Sequence, residues 1–266
     1  MPKSSKKEII RKLQETKRIN LSQSHAKKMN THKAKFIARK TIAAHTSLYT
    51  FSKPEGFTFK AGQFVTMKVA CDNDARRGVR SMSIACAPNE EMLAFAWRET
   101  GSGFKMFCNE MEPGDTIDLI GPSGHFTLPE DENVPIVFLI GGIGITPVMS
   151  ILKEEEQKKS RREITLIYSN RTPETTAFQE DVKKIGLPNY KYVPTYTDVK
   201  EKNLSDNTEE TGFITWEMVE RHVQEPVKKH FYIVGTMEFI DAMRKMLNDN
   251  EVERSNITVD NFGKYS

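Results

Sequence analysis

The chain is 266 residues long, enough for two cores of ordinary domain size. Charged residues make up 28% of it with both signs represented, and the 38% hydrophobic fraction suits a soluble globular protein. No apolar run approaches a membrane span, since Pro135 and the glycines after Ile140 break the longest candidate, and the N-terminus lacks a secretory signal's apolar core. A cytoplasmic protein is the expectation.

Residues 1–32 read as a basic leader. Thirteen Lys and Arg against Glu8 and Glu15 give residues 1–40 a charge of +11, leaving −8 for the rest of a chain whose total is +3. Ile9, Ile10 and Leu13 add a short, weakly amphipathic helix pattern. A solvated leader is the plainer reading. The sharper one is an electrostatic docking arm for an acidic partner, a nucleic acid or an anionic membrane surface. For the protein as a whole, an anion-binding scaffold tethered to nucleic acid by this leader is the weakest functional reading, and no nucleic-acid partner is expected.

From Lys33 the texture turns to short β-rich segments. Residues 35–46, 48–51, 62–69, 80–86, 92–97 and 116–120 carry β-branched, aromatic or alternating apolar residues. Turn formers separate them, among them Pro54-Glu-Gly56, Ala87-Pro-Asn89 and Pro113-Gly-Asp115. Six short strands at close spacing predict a small antiparallel barrel over 33–130. One short helix capped by Ser102 is predicted over 102–109. Cys71, Cys86 and Cys108 have neither disulfide nor zinc spacing, nor the clustering of an iron–sulfur centre, and read as reduced, partly buried thiols.

After Pro129 the pattern becomes strand–helix alternation, which predicts a parallel α/β domain over 131–266. Ile136 to Ile140 is an apolar run of strand length, suited to a strand buried on both faces. Gly141-Gly-Ile-Gly-Ile-Thr-Pro147 follows, with Thr146 as predicted N-cap and Pro147 at the first helical position. Strand, glycine turn and helix N-terminus together make an anion cradle. The Thr-Pro spacing favours that over an ordinary tight turn. Further strands are predicted at 164–168, 191–195 and 231–234, and helices at 147–159, 175–184, 215–224 and 238–248.

Taken in order, Gly62-Gln-Phe64, Arg80-Ser-Met-Ser83, Gly121-Pro-Ser-Gly124, Gly141 to Pro147 and Asp260-Asn-Phe262 resemble the ferredoxin–NADP reductase family over residues 33–266. The resemblance implies a six-stranded antiparallel barrel holding FAD, in preference to FMN, followed by an α/β domain that takes NAD(P)H. It assigns Arg80 to the flavin phosphate, where a planar, permanently charged fork suits the ligand, and places Ser83 near the flavin atom that receives hydride. Ser81 and Met82 complete that segment. Met82 stands where the family usually has Tyr, so the hydroxyl is absent. Read on its residue type alone, Arg80 is a surface ion-pair former with an acid such as Asp74.

The resemblance further assigns flavin contacts to Ala96, Trp97, Arg98, Gly103, Phe104 and Lys105. Trp97 read by itself is a packed barrel residue. Gly141, Gly142, Gly144 and Thr146 take the nicotinamide dinucleotide, with Thr146 also reaching toward the flavin. Ser169 and Arg171 follow a strand, at the edge where open α/β sheets bind ligands, and suit the adenosine half. Arg171 favours a 2′-phosphate, whereas Asp198 at the same pocket suits the ribose hydroxyls of NADH. Gly235 follows Val234, which stands where the family often has Cys. Phe262 and Tyr265 lie in a tail like the family's flavin-facing one, and Ser83 and Phe262 are the expected catalytic positions.

The implied activity is an NAD(P)H-dependent flavoprotein reductase passing electrons to a separate acceptor such as ferredoxin, flavodoxin or an oxygenase component. No metal, catalytic triad or essential histidine is expected, with His45 and His125 as turn or surface residues. The alternative is a flavin-binding electron-transfer or regulatory subunit of a larger complex, with little activity alone.

Overall fold

The structure is a computed structural model and describes residues 31–71, 73–199 and 209–261. The helix pattern of the basic leader, Phe262 and Tyr265 all lie outside these residues. The described residues from His32 onward form one compact unit.

Six strands make the first sheet: β1 (Thr31–Ala43), β2 (Thr46–Ser52), β3 (Phe64–Lys68), β4 (Val79–Ser83), β5 (Met92–Arg98) and β6 (Thr116–Ser123). Their order is β4-β3-β6-β1-β2-β5, and β1–β2, β2–β5, β3–β4 and β3–β6 run antiparallel. Alternation drives this, since β2 buries Tyr49 and Phe51 between partly exposed neighbours. Just past β4, the Ala85 N–H donates to Ala94 O on β5 at 2.8 Å, so the two edge strands meet and the sheet curls shut. Helix α1 (Gly103–Asn109) buries Phe104 and Cys108 in this core, beside Trp97 and Leu119. Ser102 precedes it as predicted, but its side chain makes no capping bond.

The second sheet contains β7 (Ile136–Gly141), β8 (Ile164–Asn170), β9 (Tyr190–Tyr196), β10 (Glu210–Thr211), β11 (His230–Gly235) and β12 (Ile257–Asn261). All pairs are parallel in the order β10-β9-β8-β7-β11-β12. Helices α2 (Ile145–Gln157), α3 (Gln179–Lys183), α4 (Trp216–His222) and α5 (Met237–Asp249) alternate with these strands along the chain. Strand β7 feeds both faces: Phe138 and Ile140 pack into one core, Val137 and Leu139 into another. A barrel-like antiparallel sheet followed by a parallel α/β sheet is the predicted fold class.

Several local expectations change. The helix predicted over 175–184 is reduced to α3, because Phe178 adopts a left-handed conformation (φ 57°) that breaks it while its ring is buried. Upstream, the Thr175 and Thr176 hydroxyls donate to Thr172 O, which holds a tight turn instead of a helix. Thr146 is not an N-cap. Residues 142–144 wind as a 3-10 turn straight into α2, and the Thr146 hydroxyl donates back to Ile143 O at 3.2 Å. Strand β12 has no counterpart among the predicted elements.

Side chains lock the two sheets together. Arg162, 3% exposed, donates to the carbonyls of Pro129, Asp131 and Val134 and pairs with Glu155 at 3.3 Å. Ser150 on α2 donates to Cys86 O at 2.6 Å, and Tyr232 on β11 donates to Thr127 O at 3.0 Å. These bonds set how the C-terminal ends of β7 and β11 face the barrel.

Candidate functional site

Two cavities adjoin where the sheets meet. The smaller, about 330 Å³, opens on the barrel side along β4 and β5. The four residues Arg80 to Ser83 border it together, with Ala96, Trp97 and Arg98 opposite. Lys105 reaches it from α1, whereas Gly103 and Phe104 do not line it. Phe104 is core, and its N–H donates to the Asp74 carboxylate at 3.2 Å. Trp97 is packed as its residue type suggests, stacked on Tyr49 with ring centroids 3.9 Å apart. The α/β domain contributes Ile143, Thr146 and Asp260, the last from the end of β12.

The cavity is strongly cationic. Arg80 forms a two-pronged pair with Asp74, at 2.6 and 2.8 Å, and its guanidinium lies 5.5 Å from the Phe104 ring centroid. The ion pair that residue type alone suggested is therefore present, and Arg80 also borders the cavity. That pairing holds the Asp74 carboxyl well below the usual carboxylate range. Burial, and then the charges of Arg80 and Arg98, lowers the pKa of Lys105. Among the described residues, three cations, Arg80, Arg98 and Lys105, line the cavity against the single carboxylate Asp260, while Asp74 pairs with Arg80 behind it, and the balance at the wall favours an anion.

The larger cavity, about 1000 Å³, runs along the C-terminal ends of the parallel strands. Its floor is the loop Gly141–Gly144. Gly142 has φ 54°, and a Cβ there would stand 2.8 Å from an Arg98 nitrogen. A Cβ on Gly144 would stand 2.7 Å from Val234 O, so the loop seats directly on β11. The buried Tyr168 hydroxyl bonds Gly142 O at 2.9 Å and fixes the loop from below. Arg98 and Ile143 belong to the walls of both cavities.

Ser169, Arg171 and Gly235 line the larger cavity as well. Asp198 does not line it, but receives a bond from Arg171 Nε at 2.7 Å, so the two side chains form one exposed pair. Phe213, 78% exposed, and Trp216 supply an aromatic wall that the sequence reading missed. Asp260 at the smaller cavity entered only as part of a motif and Asp74 only as a possible partner of Arg80, whereas Asn170 and Phe239 at the larger one went unrecognised. Their only sequence signal is position at a strand or turn end. The described residues contain no cluster of side chains able to hold a metal ion, and no helix among them is long and apolar enough to cross a membrane.

An antiparallel barrel joined to a parallel α/β sheet is the fold of ferredoxin reductase-like proteins. Residues 138–245 match the family described as the oxidoreductase NAD-binding domain. The chain is similar to the flavohemoprotein of Bacillus anthracis, at 27% identity over 82% of this chain and 57% of that one. It is also similar to the reductase component of propane 2-monooxygenase from Mycolicibacterium smegmatis, at 25% identity over 79% of this chain and 61% of that one. The chain thus spans somewhat over half the length of these relatives. In fold it matches a ferredoxin NADP+ reductase from Neisseria gonorrhoeae solved with FAD and NADP, with TM-score 0.72 and 22% identity, covering 87% of this chain and 98% of that one.

Proposed function

We propose that the chain is an NAD(P)H-dependent flavoprotein reductase that passes electrons from NAD(P)H through FAD to a separate acceptor. The observation that carries this reading is the wall of Arg98 and Ile143 common to the two cavities, which brings a ligand in each within reach of the other.

The residues present fit both groups. A phosphate-bearing flavin needs cations beside an apolar slot, and Arg80, Arg98 and Lys105 stand beside Phe64, Met82 and Ala96. A dinucleotide needs a close backbone approach at a strand end, which the Gly142–Gly144 loop offers beneath a long cavity. The flavin, when bound, supplies hydride acceptance and onward electron transfer. The chain supplies binding, orientation and exclusion of water.

In this reading residues 33–130 form the flavin domain and residues 131–266 the nucleotide domain. Arg80 takes the flavin phosphate, Ser83 serves the reacting end of the flavin, and Phe262 shields it from water. Ser169 and Arg171 hold the adenosine half, and Asp198, by engaging Arg171, favours NADH over NADPH. The relative that is a monooxygenase reductase component supports a separate protein as acceptor, of ferredoxin, flavodoxin or oxygenase-component type. The +11 charge of residues 1–40 suits an acidic partner.

The test is reconstitution with FAD, then reduction with NADH and challenge with candidate acceptors at several salt concentrations, with and without residues 1–30. Acceptor reduction that loses its salt dependence with the leader supports the reading. A chain that binds no flavin ends it.

A further inference from the structure

Asp74 is the most heavily bonded carboxylate near the smaller cavity, and nothing in the proposed electron route uses it. Its side chain is 1% exposed. One oxygen receives Arg80 NH2 at 2.6 Å and the Phe104 N–H at 3.2 Å. The other receives Arg80 NH1 at 2.8 Å and the N–H groups of Arg76 and Gly78 at 3.0 and 3.1 Å. Arg80 NH1 also donates to Val79 O at 2.8 Å. This leaves the guanidinium its Nε–H and one N–H on NH2, in a side chain 12% exposed. Gly103 lets the loop come this close, since a Cβ there would stand 2.8 Å from Asn73 O.

We propose that Asp74 is the positioning residue for phosphate recognition in the smaller cavity. It clamps Arg80 in one orientation, so that the two uncommitted N–H groups are presented together, and it ties α1, which carries Lys105, to the same anchor. A fork held flat by a carboxylate meets a phosphate without having to be ordered first, which is what bidentate recognition requires. An isolated surface ion pair would not bury its acid among five donors.

This inference rests on the flavin reading of the cavity, and one set of measurements separates the two. Dissociation constants for riboflavin, which has no phosphate, and for FMN and FAD are measured by flavin fluorescence on the full chain and on Asp74→Asn. Loss of the clamp is expected to weaken FMN and FAD about tenfold or more while riboflavin changes less than about twofold. Asp74→Glu keeps the charge but displaces the fork, and is expected to give the same selective loss; it is the variant to read if Asp74→Asn does not fold. Equal weakening of all three flavins would mean that Asp74 only supports the loop. Unchanged or tighter FMN and FAD would mean that it is a bystander or a competitor for Arg80. Either result overturns the proposal, whereas an unmodified chain that binds none of the three removes the flavin reading itself.

Discussion

Arg98 on β5 and Gly142 after β7 touch across the junction of the two sheets: a methyl group at residue 142 would stand 2.8 Å from a terminal nitrogen of Arg98. The barrel thus reaches over the loop expected to hold the second ligand. Gly142→Ala adds that clash to a left-handed backbone (φ 54°), a conformation that costs a residue bearing a Cβ about 1–2 kcal/mol. The loop is expected to shift to relieve this, with a dinucleotide KM raised about fivefold or more, roughly 1 kcal/mol of lost binding, and flavin still bound. Steady-state KM together with the visible spectrum checks both halves.

Asp198 engages Arg171 in an exposed pair. Removing the carboxylate with Asp198→Ala frees the guanidinium for a 2′-phosphate. The ratio of kcat/KM for NADPH to that for NADH is expected to rise by about tenfold, one charge-assisted contact. Thermal stability is expected to shift by less than about 1 kcal/mol, because exposed pairs contribute little. A ratio that does not move would detach Asp198 from nucleotide choice.

Arg162 and Glu155 form a pair with both side chains almost wholly buried, at 2% and 4% exposure, and Arg162 also satisfies three carbonyls of the segment between the sheets. Arg162→Met removes the donor from those carbonyls and leaves Glu155 with only Lys158, at 3.9 Å. Urea unfolding is expected to show a loss of about 3–5 kcal/mol, the cost of breaking a buried pair from one side. A loss below about 1 kcal/mol would mean that the junction is held chiefly by its apolar contacts.

Burial pushes the Cys86 thiol up to about 11 and the Cys108 thiol up to about 12, while Cys71 is partly exposed. At pH 8 a thiol with a pKa of about 11 is ionised in roughly one molecule in a thousand, so it reacts slowly even when reached. Maleimide is expected to label one thiol per native chain quickly, at Cys71, and all three after denaturation. Rapid labelling of Cys108 would contradict its place in the barrel core.

The parts of the fold that sequence made readable share one property: a local pattern that tertiary contacts do not oppose. Ile136 to Ile140 reads as a buried strand because every residue is apolar, and the glycines after it announce the turn. Phe178 was opaque because its left-handed backbone answers to ring burial, which no neighbouring residue signals. Strand β12 was hidden in a short, polar-ended segment whose pairing with β11 is non-local. At the candidate site Arg80 was visible through its motif, and Asp74 entered only as a possible ion-pair partner. Its bond to the Phe104 N–H crosses 30 residues, beyond any spacing rule. Arg98 was assigned to the flavin side alone. Its contact with Gly142 exists only once the barrel edge and the nucleotide loop are brought together.

The central claim is that a flavin in the smaller cavity and a nicotinamide in the larger one would meet where both are lined by Arg98 and Ile143, close enough for the flavin to accept hydride. Anaerobic mixing of the FAD-loaded chain with one equivalent of NADH, followed by the visible flavin absorbance, tests it most directly. The account predicts rapid, stoichiometric bleaching that Gly142→Ala slows at subsaturating NADH. Bound flavin whose absorbance is untouched by both NADH and NADPH would contradict it.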